Sequence, residues 1–184
     1  MKGRVSSFVA IAAIVLAAAC GGLTNITASF ASADAELKLY ALNGTPRDFP
    51  SALITITRQT ARAESGASYD VVFDITAAGQ PVLYPVNDVS LVGSAGIRKE
   101  TVAYSELLLA PPTNYNDSLP TPIAAGDVLV IRAQSVGCVG LRSPYVFSKM
   151  HVDSINVVTR TMNFHMRVDP NCGFRSFADG IPRE

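Results

Sequence analysis

The chain has 184 residues, of which 48% are hydrophobic, and its 15 basic residues balance its 15 acidic ones. The charges are scattered without a basic block, so the sequence lacks the electrostatic footprint of a nucleic-acid-binding protein. Tryptophan is absent, so a platform for stacking sugars would depend on Tyr and Phe alone. The length suffices for one domain with a substantial core after any leader is set aside.

The N-terminal segment has the character of an export signal. Lys2 and Arg4 precede an apolar run that closes with the sequence LAAAC, whose last residue is Cys20. Even from residue 8 to residue 23 the run is 16 residues, shorter than the roughly 20 that a spanning helix needs. Small residues just before a cysteine make this segment resemble the lipobox of a bacterial lipoprotein signal peptide.

The resemblance implies a signal peptide at residues 1–19 and a lipid on Cys20, which becomes the mature N-terminus. A soluble protein released by ordinary signal cleavage and a retained anchor are the two alternatives. Gly21 stands where an Asp retains some lipoproteins at the inner membrane, so the outer membrane of a Gram-negative cell is favoured. Residues 20–35 are small and polar, and they are expected to form the lipidated cysteine and a flexible tether.

Lipidation of Cys20 leaves an even pair of cysteines, Cys138 and Cys172. Such a pair in an oxidising compartment predicts a disulfide. The alternative is a metal site that joins them to the two histidines, His151 and His165. Their spacing matches no C-x-x-C or H-x-x-x-H ligand pattern. We therefore expect a disulfide, no metal site and no cofactor.

Residues 36–184 are expected to fold as one all-β domain behind the signal helix and the tether. Alternating or β-branched runs predict strands at residues 37–42, 53–58, 68–76, 82–86, 89–92, 97–104 and 128–133. Asp70 and Asp74 are placed on a solvated polar face, and Phe174 and Phe177 are expected to dock on the core or cover a sheet edge. About nine strands favour an antiparallel β-sandwich, with the immunoglobulin type as one version, over a small β-barrel.

The last two strands are predicted to form a hairpin joined by residues 156–160. One register places the two histidines opposite each other and Lys149 opposite Arg167, where like charges are unfavourable. A slip of two residues instead places Asp153 beside the second histidine and Asp169 beside Lys149. The slipped register complements charge better and leaves the histidines as ordinary surface residues.

Residues 113–122 (TNYNDSLPTP) are rich in turn formers and predict the longest loop. Asn114, Tyr115, Asn116 and Asp117 within it are the candidate contact residues for a partner. These residues also carry oxygen ligands for calcium, but the loop lacks the EF-hand spacing.

The search for catalytic motifs gives no match to G-x-S-x-G, S-x-x-K, H-E-x-x-H, the Walker A loop or G-x-G-x-x-G. We therefore expect a non-catalytic binding or scaffolding domain, tethered to a membrane of the cell envelope by its lipid. Its partner would be an envelope protein or a glycan, and not a nucleic acid. The alternative is a carrier or enzyme for a lipid, glycan or peptide, with its site in a cleft or barrel interior.

Overall fold

The computed structural model describes residues 27–87, 94–141 and 143–183. Ten strands lie within these ranges: β1 (Ala33–Tyr40), β2 (Ala52–Ile54), β3 (Gln59–Ala61), β4 (Val71–Ile75), β5 (Pro81–Pro85), β6 (Ala95–Glu100), β7 (Thr121–Pro122), β8 (Val128–Gln134), β9 (Tyr145–Asn156) and β10 (Thr161–Asp169). Two short 3₁₀ turns accompany them, Ala63–Ser65 and Val136–Cys138. None of the helical turns in the described ranges has the length and apolarity that crossing a membrane requires. Cys20 and the strand predicted at residues 89–92 lie outside the described residues.

The strands form two antiparallel sheets. Sheet A has the order β1-β10-β9-β8-β6, and sheet B has the order β3-β2-β4-β5-β7. Across the described residues the sheets stay separate and do not close into a barrel. The prediction of an all-β sandwich is therefore confirmed, and the small barrel is not the fold.

The core lies between the sheets and follows from the two-residue period of the strands. Fully buried side chains reach it from both layers, including Leu39 of β1, Phe164 of β10, Phe73 of β4 and Leu83 of β5. Successive side chains of a strand point to opposite faces, so each alternating run in the sequence supplies one row of this core. The first of these strands begins at Ala33, three residues before the predicted start of the domain.

The run at residues 53–58 is a hairpin and not the single strand that its β-branched residues predict. β2 ends at Ile54, the chain turns, and β3 begins at Gln59 and pairs with β2. Arg58 closes the turn with φ at 54° and donates its backbone N–H to the carbonyl oxygen of Thr55. The run contains no Gly or Pro, so its composition gave no sign of the reversal.

Asp70 and Asp74 are buried, which corrects the expectation that they are solvated. Asp70 accepts a 2.6 Å hydrogen bond from the backbone N–H of Thr55, and burial raises the pKa of its carboxyl. Asp74 accepts a 2.6 Å hydrogen bond from the side-chain amide of Asn43 and lies 3.5 Å from the guanidinium of Arg160. Loops fold over this face of sheet B and satisfy both carboxyl groups.

A smaller apolar cluster covers the outer face of sheet A. Residues 103–118, here called the covering segment, and the C-terminal tail pack on β8 and β9 and form it. Its members are Leu107, Ala110, Val128, Val130, Phe147 and Phe177, with Tyr104, Tyr115 and Tyr145 partly buried against them. The backbones of the two covering stretches also hydrogen-bond, from Ala110 N–H to Arg175 O and from Phe177 N–H to Leu108 O. Phe174 and Phe177 are buried, as predicted.

The predicted disulfide is present between Cys138 and Cys172, whose Cα atoms are 5.3 Å apart. It joins the 3₁₀ turn after β8 to the turn after β10. Closure of a loop of this length contributes about 3–4 kcal/mol in the chain-entropy model. The disulfide therefore fixes one end of sheet A.

Candidate functional site

The hairpin of β9 and β10 carries the chemically richest face of the molecule. Its register places His151 opposite His165 and Lys149 opposite Arg167. The predicted slip of two residues is therefore wrong, and Phe147 stands opposite Asp169. The like charges of Lys149 and Arg167 are tolerated because each cation turns to partners outside the hairpin.

Lys149 turns under the covering segment. Its ammonium donates hydrogen bonds of 2.7 Å and 3.1 Å to the backbone carbonyl oxygens of Tyr104 and Leu107. It also lies 4.3 Å from the centre of the Tyr104 ring, within the range of a cation–π contact. The side chain is buried, and desolvation lowers the pKa of Lys149. Lys149 therefore anchors the covering segment to the sheet.

Arg167 turns the other way, towards β1 and the C-terminal tail. Its guanidinium makes two hydrogen bonds of 2.7 Å to the carboxylate of Asp34 and a third of 2.7 Å to Asp179. The bond to Asp34 is the main cause that raises the pKa of Arg167, and it lowers the pKa of Asp34 in return. The positive charge of Arg167 is thus neutralised locally.

Asp153 meets both histidines by way of a β-bulge. Val152 pairs with Phe164 and Ser154 pairs with Asn163, so Asp153 is an extra residue without a ladder partner. A bulge bends its strand and re-aims the side chain of the extra residue. The slipped register predicts a contact between Asp153 and His165, and the bulge makes that contact without a slip.

The three side chains form a compact cluster, here called the histidine cluster. Oδ1 of Asp153 lies 2.9 Å from Nδ1 of His151 and 2.7 Å from Nδ1 of His165. The two imidazole centres are 4.8 Å apart, with 32° between their planes. Partial burial acts to raise the pKa of the Asp153 carboxyl, but the hydrogen bonds from the two imidazoles hold it below its usual value. In the described part of the chain, neither imidazole has a hydrogen bond to a serine or cysteine.

Tyr104 of the covering segment stands against this cluster. Its ring meets His165 edge to face, with centres 4.5 Å apart and 78° between the planes. Burial is the main cause that raises the pKa of Tyr104 to about 12. At neutral pH the phenol is therefore uncharged, and it limits the positions that the His165 ring can adopt.

Two open grooves meet at Tyr104 and His165, which line both of them. The first runs towards β1 and the tail, where Asp34 and Arg167 line it. The second runs towards the start of β8, past His151. The outer face of sheet A therefore has a polar surface with both signs of charge and one aromatic wall.

The predicted contact residues lie elsewhere, and they divide into two kinds. Asn114 and Asp117 are exposed. The Tyr115 hydroxyl donates a 2.7 Å hydrogen bond to the carbonyl oxygen of Pro111, and Asn116 exchanges backbone hydrogen bonds with Ile97. None of the four lines the two grooves at Tyr104. Their role as partner contacts stays a prediction.

Part of the histidine cluster was visible in the sequence. His151 and Asp153 are two residues apart on one strand, a spacing that places both side chains on the same face. The contribution of Tyr104 was not visible, because this residue was assigned to the end of a strand that in fact stops at Glu100.

A scan against protein-family models gives no match for this chain, and a search of curated proteins gives none either. The function of the site is therefore argued from its own geometry.

Proposed function

We propose that the chain is a lipid-anchored lipoprotein of the bacterial cell envelope whose β-sandwich is a non-catalytic binding domain. The disulfide is the observation that carries this proposal. It uses Cys138 and Cys172, and the third cysteine of the chain is Cys20 in the LAAAC sequence. A structural disulfide supports an oxidising compartment, and it leaves Cys20 free for modification.

The position of the N-terminal segment supports an orientation for the anchored domain. The Asn171 side-chain oxygen accepts the backbone N–H groups of Ser29 and Phe30 at 2.8 Å and 3.0 Å. Its side-chain nitrogen donates a 2.7 Å hydrogen bond to the Phe30 carbonyl oxygen. Asn171 adjoins Cys172, so the chain from Cys20 meets the domain at its disulfide end. The nine residue steps from Cys20 to Ser29 reach at most about 30 Å, which keeps this end close to the membrane.

The same end carries exposed aliphatic side chains. Val136, Val139 and Leu141 flank the disulfide at Cys138, and their side chains are at least half exposed. Contact with the acyl boundary of a bilayer lowers the free energy of exposed apolar groups at a membrane-proximal end. In this orientation the anchor and these three residues together hold the domain to the lipid surface.

The grooves at Tyr104 are the preferred site for the envelope protein or glycan that the domain binds. They offer an aromatic wall, acceptors and a bidentate Arg–Asp pair on a surface that the disulfide end does not cover. The alternative, a carrier or enzyme with an enclosed site, has less support. Large side chains such as Phe73 and Phe164 fill the space between the sheets, and both grooves open to solvent.

The anchor is tested by the intact mass of the natively expressed, membrane-extracted protein, with and without reduction. The expected species begins at Cys20, carries added diacylglyceryl and acyl mass, and gains two hydrogens only on reduction. A Cys20→Ala variant should lose the added mass and leave the membrane fraction. Recovery of the wild-type protein as a soluble chain with an unmodified Cys20 would overturn the proposal.

The orientation is tested with the lipid in place. In the lipidated protein on vesicles, Val136→Asp with Val139→Asp should loosen the contact and raise the rate of proteolysis at the disulfide end. Val157→Asp with Val158→Asp is the matched control, because these valines are also more than half exposed and lie in the turn between β9 and β10. Equal effects from the two pairs would refute the orientation but not the anchor.

The binding surface is tested by a photo-crosslinking residue at position 105 in cells. Ser105 is exposed and lines the first groove, whereas Asp48 is exposed on a distant loop and provides the control position. An envelope partner captured at 105 and not at 48 is the expected result. Capture at neither position would count against a binding role for the grooves.

A further inference from the structure

We propose that His151, Asp153 and His165 form a binding site for a divalent transition-metal ion of the Zn²⁺ type. The inference goes beyond the proposed function, and it does not rest on the lipid anchor. It differs from the expectation, made from the sequence, that the chain holds no metal site.

The donor atoms are already assembled. One ligand atom from each of the three residues lies within 4.8 Å of the other two. The two Nδ1 atoms are 2.9 Å and 2.7 Å from the same carboxylate oxygen. Zinc bonds of about 2.0–2.1 Å in a tetrahedron place ligand atoms roughly 3.3 Å apart. Small side-chain rotations therefore open the cluster enough to admit an ion.

The donor chemistry selects the class of ion. Two imidazole nitrogens and one carboxylate oxygen are ligands that Zn²⁺ and its first-row neighbours bind readily. Ca²⁺ and Mg²⁺ prefer oxygen ligands alone. A neutral imidazole carries one hydrogen on its two ring nitrogens. Binding of the ion through Nδ1 places that hydrogen on Nε2, so the charge of the ring does not change.

The strands hold the ligands in place. His151 and His165 are directly opposite each other in the central hairpin of sheet A, and the bulge supplies Asp153 as the third ligand. The Tyr104 ring packs edge to face against His165, and the Lys149 ammonium donates a hydrogen bond to the Tyr104 carbonyl oxygen. Ligands on strands with supported rings lose little freedom when an ion binds.

The local charges also permit a cation. Arg167 is paired with Asp34 and Asp179, and Lys149 is directed at two carbonyl oxygens beneath Tyr104. Glu36 is the neighbour of His165 across β1 and is exposed, so it adds negative charge beside the cluster.

The solvent side of the site stays open. The His151, His165 and Asp153 side chains are 29%, 36% and 39% exposed. Three protein ligands with a solvent-facing position leave room for a water molecule or a ligand from a bound partner. In this arrangement the ion would link the domain to an anionic or imidazole-bearing group in the adjoining grooves.

The test uses Zn²⁺ with the full natively expressed protein, from whichever fraction holds it, after a chelator has removed bound metal. Titration calorimetry should give one Zn²⁺ per chain. Nitrogen-detected histidine NMR should show both side chains responding together, and both signals are assignable because the chain has only two histidines. Thermal unfolding should also shift upward with Zn²⁺, because ligand binding to the folded state stabilises it.

Single variants separate the site from adventitious binding. His151→Ala, His165→Ala and Asp153→Asn should each weaken Zn²⁺ binding by about tenfold or more. Asp48→Asn is the control, because it removes an exposed carboxylate far along the chain from the cluster. Circular dichroism without metal should show that each variant is folded. Should His151→Ala fail to fold, His151→Gln replaces it.

Three results would overturn the proposal. The first is a lack of Zn²⁺ binding at about 100 µM, a concentration that saturates a built site. The second is an NMR response from only one histidine. The third is Zn²⁺ binding that the three variants leave unchanged. Failure of the metal site would leave the lipid anchor and its mass signature intact, so the two proposals stand or fall separately.

Discussion

The ammonium of Lys149 lies 4.3 Å from the centre of the Tyr104 ring and donates a 2.7 Å hydrogen bond to the carbonyl oxygen of the same residue. This double contact joins the covering segment to β9. Because Tyr104 also packs against His165, the position of the covering segment and that of the histidine cluster depend on one buried cation.

Replacement of Lys149 with Met should detach the covering segment. The variant keeps an apolar stem but leaves the Tyr104 and Leu107 carbonyls without their donor, at a cost of about 1.5–3 kcal/mol for a charge-assisted contact. Urea unfolding measures the change in the free energy of unfolding. Hydrogen exchange should become faster at the Leu107 amide. Lys99→Met is the control, because Lys99 is exposed and pairs with Asp127 at the surface, and such a surface ion pair is worth at most about 1 kcal/mol. Equal losses from the two variants would contradict the role of Lys149.

Gly96→Ala should displace Tyr115 from the outer face of sheet A. A Cβ at position 96 would lie 2.7 Å from the Tyr115 Cβ, closer than two such atoms approach. Overpacking of this kind costs about 1–3 kcal/mol. Gly137→Ala is the matched control, because its nearest atom, the Ser135 hydroxyl oxygen, is 3.7 Å away. Thermal unfolding compares the two, and a stable Gly96→Ala variant would show that the loop gives way freely.

Asp70→Asn should change the pH dependence of stability. Burial raises the pKa of Asp70 in the folded state, so the folded chain holds this proton more tightly than the unfolded chain. The stabilisation that Asp70 contributes to the folded state is therefore complete below its unfolded-state pKa. It is lost as pH rises through the higher pKa of the folded state.

The amide variant keeps the oxygen that accepts from Thr55 and cannot ionise. Urea unfolding from pH 4 to pH 7.5 should show the variant gaining stability relative to wild type as pH rises. The effects of the other carboxyl groups on stability cancel in this difference, because both proteins contain them. A difference that is flat with pH would mean that Asp70 titrates normally.

Asn171→Ala should release the N-terminal segment from the disulfide end. The change removes three hydrogen bonds to Ser29 and Phe30, and net losses of about 0.5–1.5 kcal/mol for each are usual. Hydrogen exchange should therefore rise at those two amides while β9 stays protected. Asn163→Ala serves as the control, because the Asn163 side chain donates a hydrogen bond to the exposed Ser154. Unchanged exchange at Phe30 would show that other contacts hold the segment.

The sequence predicted the sandwich because its signal is local. Alternation along β9 and β10 places Met150 and Phe164 in the core whatever the neighbouring strands do, and the cysteine count is independent of topology. A rule based on local sequence could not predict the register of the hairpin. Repulsion between Lys149 and Arg167 favours the slipped register when the two strands are considered alone, whereas the fold supplies carbonyl oxygens to one cation and Asp34 to the other.

The sequence indicated only part of the histidine cluster, for a related reason. A bulge adds one residue to one strand, and no composition rule marks Asp153 as that residue. Tyr104 reaches the cluster through the covering segment, whose path is decided by its packing on Phe177 and other distant residues. Local patterns specify which face a side chain occupies, but the partners across that face come from the tertiary structure.

The pairing of β1 with β10 has a mechanical consequence. The two strands are aligned over eight positions, from Ala33 opposite Val168 to Tyr40 opposite Thr161, and the tether enters at the Ala33 end. In the proposed anchored protein, a pull on the tether would run along β1 and load the hydrogen bonds of this ladder in shear, all together and not one after another. The Cys138–Cys172 bond lies at the same end and ties the close of β10 covalently to the turn after β8. In that anchored protein, the domain would bear traction from its attachment point while its sheets stay intact.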